Sequence, residues 1–233
     1  MVKTMKGIDV SSHEGVINWD IAKDSIDFAI IRAGWGKNNI DETAKKNVEE
    51  CEKNNIPFGL YWFSYAYTVE MARNEAKYLL QFVDGHIPLF PLYFDFEYDS
   101  VNWAKKKGVI ITKQLLNDMA SAFCDELENA GYYAGIYAND DYIRNMYGEN
   151  IFKRYDLWYA RWNISEPDRL TNLWQNSSDG KISGIDSYVD TDICYFDYPT
   201  LIKEKGFNKY KEETNFICPN NCPYCPHSKK VGA

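Results

Sequence analysis

Pro91-Leu92-Tyr93-Phe94-Asp95-Phe96-Glu97 is a short apolar run interrupted by two acids at regular spacing. In an extended strand alternate side chains share a face, so Tyr93, Asp95 and Glu97 point one way and Leu92, Phe94 and Phe96 the other. The apolar set is suited to packing under helices and the polar set to entering a barrel or cleft. Carboxylates at i and i+2 stand about 7 Å apart at the backbone. Like charges at that range, beside an aromatic wall, raise the pKa of one group so that it can keep its proton while its partner ionises. The competing reading is an acidic edge strand facing solvent, and the three large apolar residues interleaved with the acids weigh against it.

Two further strand-like runs carry acids. Gly7-Ile8-Asp9-Val10-Ser11 closes the first, and Tyr188-Val189-Asp190-Thr191-Asp192 lies in the last. Between them the chain alternates short apolar runs with helical patterns, the sequence form of an α/β fold. Strands are expected over residues 6–10, 28–33, 58–63, 92–97, 132–138, 157–161, 173–175 and 189–194. Helices are expected over 41–54, 68–83, 112–129 and 140–146. Leu115, Met119, Phe123 and Leu127 form a stripe of period four that should face a sheet, as do Val69, Ala72, Ala76, Leu79 and Val83. Helical patterns fade after about residue 150 while strands continue. A TIM-barrel-like closed sheet that lost its later helices would read this way. In such a barrel, acids from the first, middle and last strands meet at the C-terminal strand ends.

The 233 residues include 37 aromatics, and 26 Lys and Arg against 34 Asp and Glu leave a net charge of −8. Excess acid argues against a nucleic-acid partner, and no apolar run reaches the ~18 residues of a membrane span. Abundant aromatics suit a sugar cleft as well as a large core. The first residues lack the apolar stretch of a secretory signal. Cys51, Cys124 and Cys194 are scattered through patterned segments and read as buried, reduced thiols. From Lys203 onward six Lys and three Glu give +3, so residues 1–202 hold −11. The expected division is a catalytic barrel over residues 1–205 and a Cys/Pro-rich tail over 206–233. In that tail Cys218, Cys222, Cys225 and His227 have a spacing that could hold a structural zinc ion. A flexible tail with reactive thiols, or disulfides formed after release, are the alternatives.

Gly7-Ile8-Asp9-Val10-Ser11-Ser12-His13-Glu14-Gly15, followed by Ile17 and Trp19, resembles the opening of a family 25 glycoside hydrolase, the Chalaropsis type of lysozyme found among phage endolysins and bacterial autolysins. Further matches follow in family order: Phe28-Ala29-Ile30-Ile31-Arg32-Ala33-Gly34, Gly59-Leu60-Tyr61, Asp95-Phe96-Glu97, Gly135-Ile136-Tyr137, Leu157-Trp158-Tyr159-Ala160, Leu173-Trp174-Gln175 and Val189-Asp190. The resemblance implies a (β/α)5(β)3 barrel that hydrolyses the β-1,4 bond between N-acetylmuramic acid and N-acetylglucosamine in cell-wall peptidoglycan. It makes Glu97 the general acid and Asp95 its partner, with Asp9 and Asp190 completing an acidic floor and no cofactor needed for catalysis. Trp35 departs from the family, where Glu is common. Asp192, two positions after Asp190, leaves open which of the two serves the site.

Cleavage requires a proton on the glycosidic oxygen and stabilisation of an oxocarbenium-like centre. Asp95 would either activate water, giving inversion, or orient the substrate's own 2-acetamido group, giving net retention. Tyr61, Tyr65, Tyr137, Trp158 and Trp174 fall at or near strand ends and are candidates for stacking on sugar rings. Gln175 and Arg32 are candidates for bonding sugar hydroxyls and the lactyl carboxylate. His13 reads as a loop-fixing residue. A chain of this kind would act on the extracellular wall, reaching it by holin-dependent release or after loss of a signal. The rival from another class is a catalytically silent glycan-binding module on the same barrel.

Overall fold

The computed structural model describes residues 4–211. Each apolar run becomes a strand: β1 (Met5–Val10), β2 (Phe28–Trp35), a two-residue β3 (Asn39–Ile40), β4 (Phe58–Phe63), β5 (Leu92–Asp95), β6 (Ala134–Asn139), β7 (Asp156–Ala160), β8 (Leu173–Gly180) and β9 (Val189–Cys194). The helices are α1 (Trp19–Ala22), α2 (Ala44–Lys53), α3 (Val69–Val83), α4 (Tyr98–Lys106), α5 (Lys113–Asn129), α6 (Asp140–Asn145), α7 (Ile151–Arg154) and α8 (Tyr198–Lys205). The sheet runs β1-β9-β8-β7-β6-β5-β4-β2, with β3 appended to β2, and the β1–β2 pairing closes it into an eight-stranded barrel. The barrel strands from β1 through β8 pair in parallel, whereas the appended β3 is antiparallel to β2 and β9 is antiparallel to both β8 and β1. Helices follow the first five barrel strands, and the last three are joined without them. This is the expected (β/α)5(β)3 order.

The pleat sorts side chains into two cores. Ile8, Val10, Ala29, Ile31, Leu92 and Phe94 face outward and pack beneath the helices. Phe94, for example, meets Phe123 of α5 with ring centroids 5.0 Å apart. Phe28, Ile30, Tyr61, Tyr93, Tyr137, Trp158 and Leu173 fill the interior. Rings this large inside a barrel need gaps on neighbouring strands. A Cβ at Gly7 would meet the Phe28 ring at 2.3 Å, and one at Gly135 would meet Tyr93 at 2.5 Å. Glycine at these two positions is therefore a packing requirement.

The mouth where the parallel strands begin is closed by α8. Asp197 caps this helix, accepting from the Thr200 N–H at 3.0 Å, and Gly206 ends it in the left-handed region at φ 66°. Tyr198 and Ile202 from α8 are fully buried against Phe90 and its neighbours. Asn208 then seals the plug, also fully buried, its side chain bonded to the Tyr133 N–H (2.8 Å) and to the carbonyls of Pro88 (2.8 Å) and Phe90 (3.0 Å). These bonds hold Asn208, three residues past the expected boundary at 205, against the floor of the barrel. Cys218, Cys222, Cys225 and His227 lie outside the described residues.

Two other expectations shift. β5 ends at Asp95 rather than at Glu97, and α4 begins at Tyr98. That helix buries only Ser100 and Ala104, so its sequence carries no apolar stripe. On α5 the buried stripe runs through Leu116, Met119, Phe123 and Leu127, with Leu115 rotated to its margin. Cys51, Cys124 and Cys194 are buried free thiols, as expected. Among the described residues no helix is long and apolar enough to cross a membrane.

Candidate active site

A cleft of about 220 Å³ opens at the C-terminal ends of the parallel strands, lined by Asp9, Asp95, Glu97 and Asp190 among others. Asp95 is the last residue of β5 and is 3% exposed. Its Oδ1 is buried without a protein hydrogen-bond partner. Burial, and then the Glu97 charge, push its pKa well above the usual carboxylate range, while Arg32 opposes them. Glu97 lies beyond the strand, but its backbone is still extended (φ −128°, ψ −170°), so the alternation carries through to it. Its N–H is held by the Ser100 hydroxyl at 3.1 Å. Burial, with Asp190 and Asp99 adding like charge, lifts its pKa to about 7.

Asp9 and Asp190 stand opposite each other across the β1–β9 pair. Asp190 reaches the same mouth from the start of its strand because β9 runs antiparallel. Gln175 of β8 joins them, its Nε2 donating to Asp9 Oδ2 at 2.8 Å and Asp190 Oδ2 at 3.2 Å. Its Oε1 accepts from the Tyr137 hydroxyl (3.1 Å) and Trp162 Nε1 (3.2 Å). Gln175 lines the cleft, as expected of a candidate sugar contact, and both polar atoms of its side chain are also engaged within the protein. Asp190 is raised to about 6, by burial and then Glu14. Asp192 sits beneath the cleft, 1% exposed, and accepts from Trp158 Nε1 at 2.7 Å. Burial raises it to about 7, although Trp158 and Asp9 both hold it down. Asp9 is raised well above the usual range by burial, then by Asp192 and Asp190. Asp9 and Asp192 are neighbouring buried carboxyls, so the ionisation of one bears on that of the other. Of the two acids on β9, Asp190 lines the cleft and Asp192 supports its floor.

Arg32 is the cation of the bowl. Its Nε and Nη2 both reach Asp41 Oδ2 at 2.8 Å, and Nη2 also donates to the Ser12 hydroxyl at 3.1 Å. Burial alone would raise Asp41, yet bonds from the Ser12 and Thr43 N–H groups, the Thr43 hydroxyl and Arg32 hold it below the usual range. Tyr61, Tyr137 and Trp158 line the cleft, with Trp158 at the centre of a tilted aromatic floor. Its ring meets Tyr137 at 4.8 Å, Tyr93 at 5.1 Å and Tyr61 at 5.7 Å. Trp158 is only 1% exposed, so it supports the cleft from below.

Two expected sugar contacts lie elsewhere. Trp174 neighbours Gln175 on one strand, so the pleat turns it to the opposite face. It is 2% exposed in the outer core and its Nε1 donates to the Arg161 carbonyl at 2.8 Å. Tyr65 lies past the end of β4 and lines a separate groove. Glu14 was not singled out from sequence, yet it lines the cleft. Its Oε2 accepts from the Ser11 N–H at 2.6 Å and the Ser11 hydroxyl at 3.1 Å. The Ser-x-x-Glu spacing of a capping box was the available signal. Among the described residues no cluster of three or more His, Cys, Asp or Glu could hold a metal ion.

The family model for glycosyl hydrolases family 25 matches residues 8–185. The chain belongs to that family. It is accordingly a glycoside hydrolase of the lysozyme kind. It is 27% identical over 201 residues to the protein YegX of Escherichia coli, covering 82% of this chain and 69% of that one. An autolytic lysozyme of Clostridium acetobutylicum is 23% identical over 194 residues, 81% of this chain and 55% of that protein. Among solved structures, the modular autolysin LytC of Streptococcus pneumoniae, in complex with a synthetic peptidoglycan ligand, superposes with a TM-score of 0.73 at 25% identity. The match covers 82% of this chain, which spans 47% of the pneumococcal one.

Proposed function

We propose that the chain is a peptidoglycan lysozyme that cleaves the β-1,4 bond between N-acetylmuramic acid and N-acetylglucosamine, with Glu97 as proton donor and Asp95 as its anionic partner. The observation that carries this reading is the pairing of Asp95 and Glu97 at one strand end, with Glu97 at a pKa of about 7 in a cleft that also holds Asp9 and Asp190. A carboxylic acid that keeps its proton near neutrality is what protonation of a glycosidic oxygen requires. Family membership and likeness to an autolytic lysozyme support the substrate class.

Glu97 also borders a second hollow, shared with Tyr137, Asn139 and Trp162. The acid thus stands between two openings, which suits a bond in the interior of a polymer. For Asp95 the substrate-assisted route is favoured by its unpartnered Oδ1. That oxygen can accept from the N–H of the sugar's 2-acetamido group, orienting the carbonyl oxygen onto the anomeric carbon. Glu97 would protonate the leaving oxygen, then deprotonate the water that opens the cyclic intermediate. NMR of the first-formed anomer tests the route: β-product supports it, and initial α-product contradicts it. The function itself is tested by wall turbidity with wild type and Glu97→Gln. Clearing by wild type and loss by the variant is expected. A wild type that binds walls without clearing them would instead support the silent glycan-binding module.

A further inference from the structure

A second groove of about 630 Å³ runs beside the cleft, and no step of the proposed reaction uses it. Trp35 lines it from the end of β2 and Lys37 from the turn that follows, Tyr65 from the loop after β4, Trp103 and Lys106 from α4, and Lys107 from that helix's C-cap. Two contacts make it continuous with the cleft. The Arg32 guanidinium, which lines the cleft, lies 5.3 Å from the Trp35 ring centroid. Phe63, also in the cleft wall, packs on Tyr65 at 5.2 Å, and Tyr65 meets Trp103 edge-on at 6.0 Å. Trp103 is 38% exposed on a helix whose buried residues are only Ser100 and Ala104. A ring of that size contributes little to the core from there, and exposed aromatic surface of this kind marks contact sites.

The charge of the groove is opposite to that of its surroundings. Residues 1–202 carry −11, yet three exposed lysines gather on this rim. Among the described residues, lysine ion pairs are made by Lys45, Lys46 and Lys53 and none by Lys37, Lys106 or Lys107, although the Lys107 ammonium lies 4.3 Å from the centroid of the Trp103 ring. The groove contains two acids. Asp99 is exposed; Glu75 is 3% exposed in the floor, bonded to the Ser64 hydroxyl and, at 3.0 Å, to the Tyr65 N–H. Burial lifts Glu75 to about 8, which leaves the floor mostly uncharged at neutral pH. Three ammonium groups thus face one carboxylate over a neutral, aromatic floor.

We propose that this groove binds the anionic peptide carried by the sugar strand being cleaved, the lysines meeting its carboxylates and the rings its apolar and amide surfaces. The inference rests on peptidoglycan being the substrate. A strand stripped of its peptides keeps one lactyl carboxylate on each muramic ring, whereas a peptide-bearing one carries its carboxylates farther from the ring, along the peptide and beside the rings held in the cleft.

The test compares wild type with Trp103→Ala and with the charge-reversed Lys106→Glu/Lys107→Glu. The substrates are intact peptidoglycan and the same strands after an amidase has removed the peptides. KM on the intact polymer should rise about tenfold in both variants, with kcat unchanged and KM on stripped strands unaltered. An equal rise on both substrates would make the groove a sugar site, and no rise on either would make it bystander surface; each overturns the proposal. Tryptophan fluorescence with a soluble muramyl peptide gives a readout independent of turnover. A saturable change that the charge-reversed variant loses is expected. A response only to a glycerol-phosphate polymer would overturn the peptide assignment. Should wild type cleave neither substrate, the reading of the function falls, while the fluorescence titration still decides the groove.

Discussion

At the end of the barrel where the parallel strands begin, Asn208 is fully buried and its side-chain amide bonds to Tyr133, Pro88 and Phe90. At the end where they finish, Asp9, Asp95, Glu97, Asp190 and Asp192 crowd together with raised pKa values, and Asp95 and Asp192 each keep an oxygen without a protein partner. The same strands build both ends. One end ties every polar atom of the Asn208 side chain into the backbone, with the buried Tyr93 and Tyr198 hydroxyls left without a hydrogen-bond partner. The other holds charge where burial disfavours it, at a cost in stability that the packed remainder of the barrel offsets.

Four substitutions would break or sharpen this contrast. Glu97→Gln should lower kcat on cell walls by about 10²–10⁴-fold, the usual worth of general acid catalysis. Its melting temperature should not fall, since the neutral amide removes an acid that burial disfavours once ionised. Asp95→Asn should lose activity by a similar factor without unfolding, because an amide cannot carry the negative charge asked of this position; circular dichroism melts run beside the assay would check both. Asn208→Ala should do the reverse. It leaves one buried N–H and two carbonyls unpaired, costing roughly 2 kcal/mol. For a chain of this size that is a drop of about 4–8 °C in Tm, with kcat unchanged.

The pH dependence follows from the same contrast. Glu97 is competent while protonated, so turnover should fall about tenfold per unit as pH rises past about 7. Stability carries a second signature. The raised pKa of Asp192, about 7, means that the folded state holds its proton more tightly than the unfolded chain does. Its penalty is absent at low pH, grows from about pH 4 as the unfolded chain ionises, and is complete above the folded pKa. Asp192→Asn, whose amide can keep the bond from Trp158 and donate to Asp9, should therefore gain stability over wild type at pH 8 and much less at pH 5. A difference of about 1 kcal/mol would show as roughly 2–4 °C. An equal gain at both pH values would contradict the raised pKa of Asp192.

Much of the barrel and its acids was legible in the sequence because period-two alternation reports which face a side chain takes. That logic placed Asp95 and Glu97 correctly even though the strand stops short of Glu97. It also holds the correction for Trp174, since a residue adjacent to Gln175 must take the other face. Tyr65 could not be placed, because it lies past its strand, where alternation no longer applies. Helix α4 escaped detection because only Ser100 and Ala104 are buried, and α8 because two buried residues, Tyr198 and Ile202, make too short a stripe. The bonds from Gln175 to Asp9 and Asp190 and the buried position of Asp192 depend on pairing between strands far apart in sequence. Asp9 lies opposite Asp190 only because β9 reverses direction to close the sheet.

The central claim is that the acidic mouth cleaves one particular bond, and the ends of the fragments report it most directly. Walls digested by the wild-type chain, reduced with borohydride and sized by mass spectrometry, should yield fragments ending in reduced N-acetylmuramic acid. Fragments ending in reduced N-acetylglucosamine, or clearing with no new reducing ends, would contradict the account.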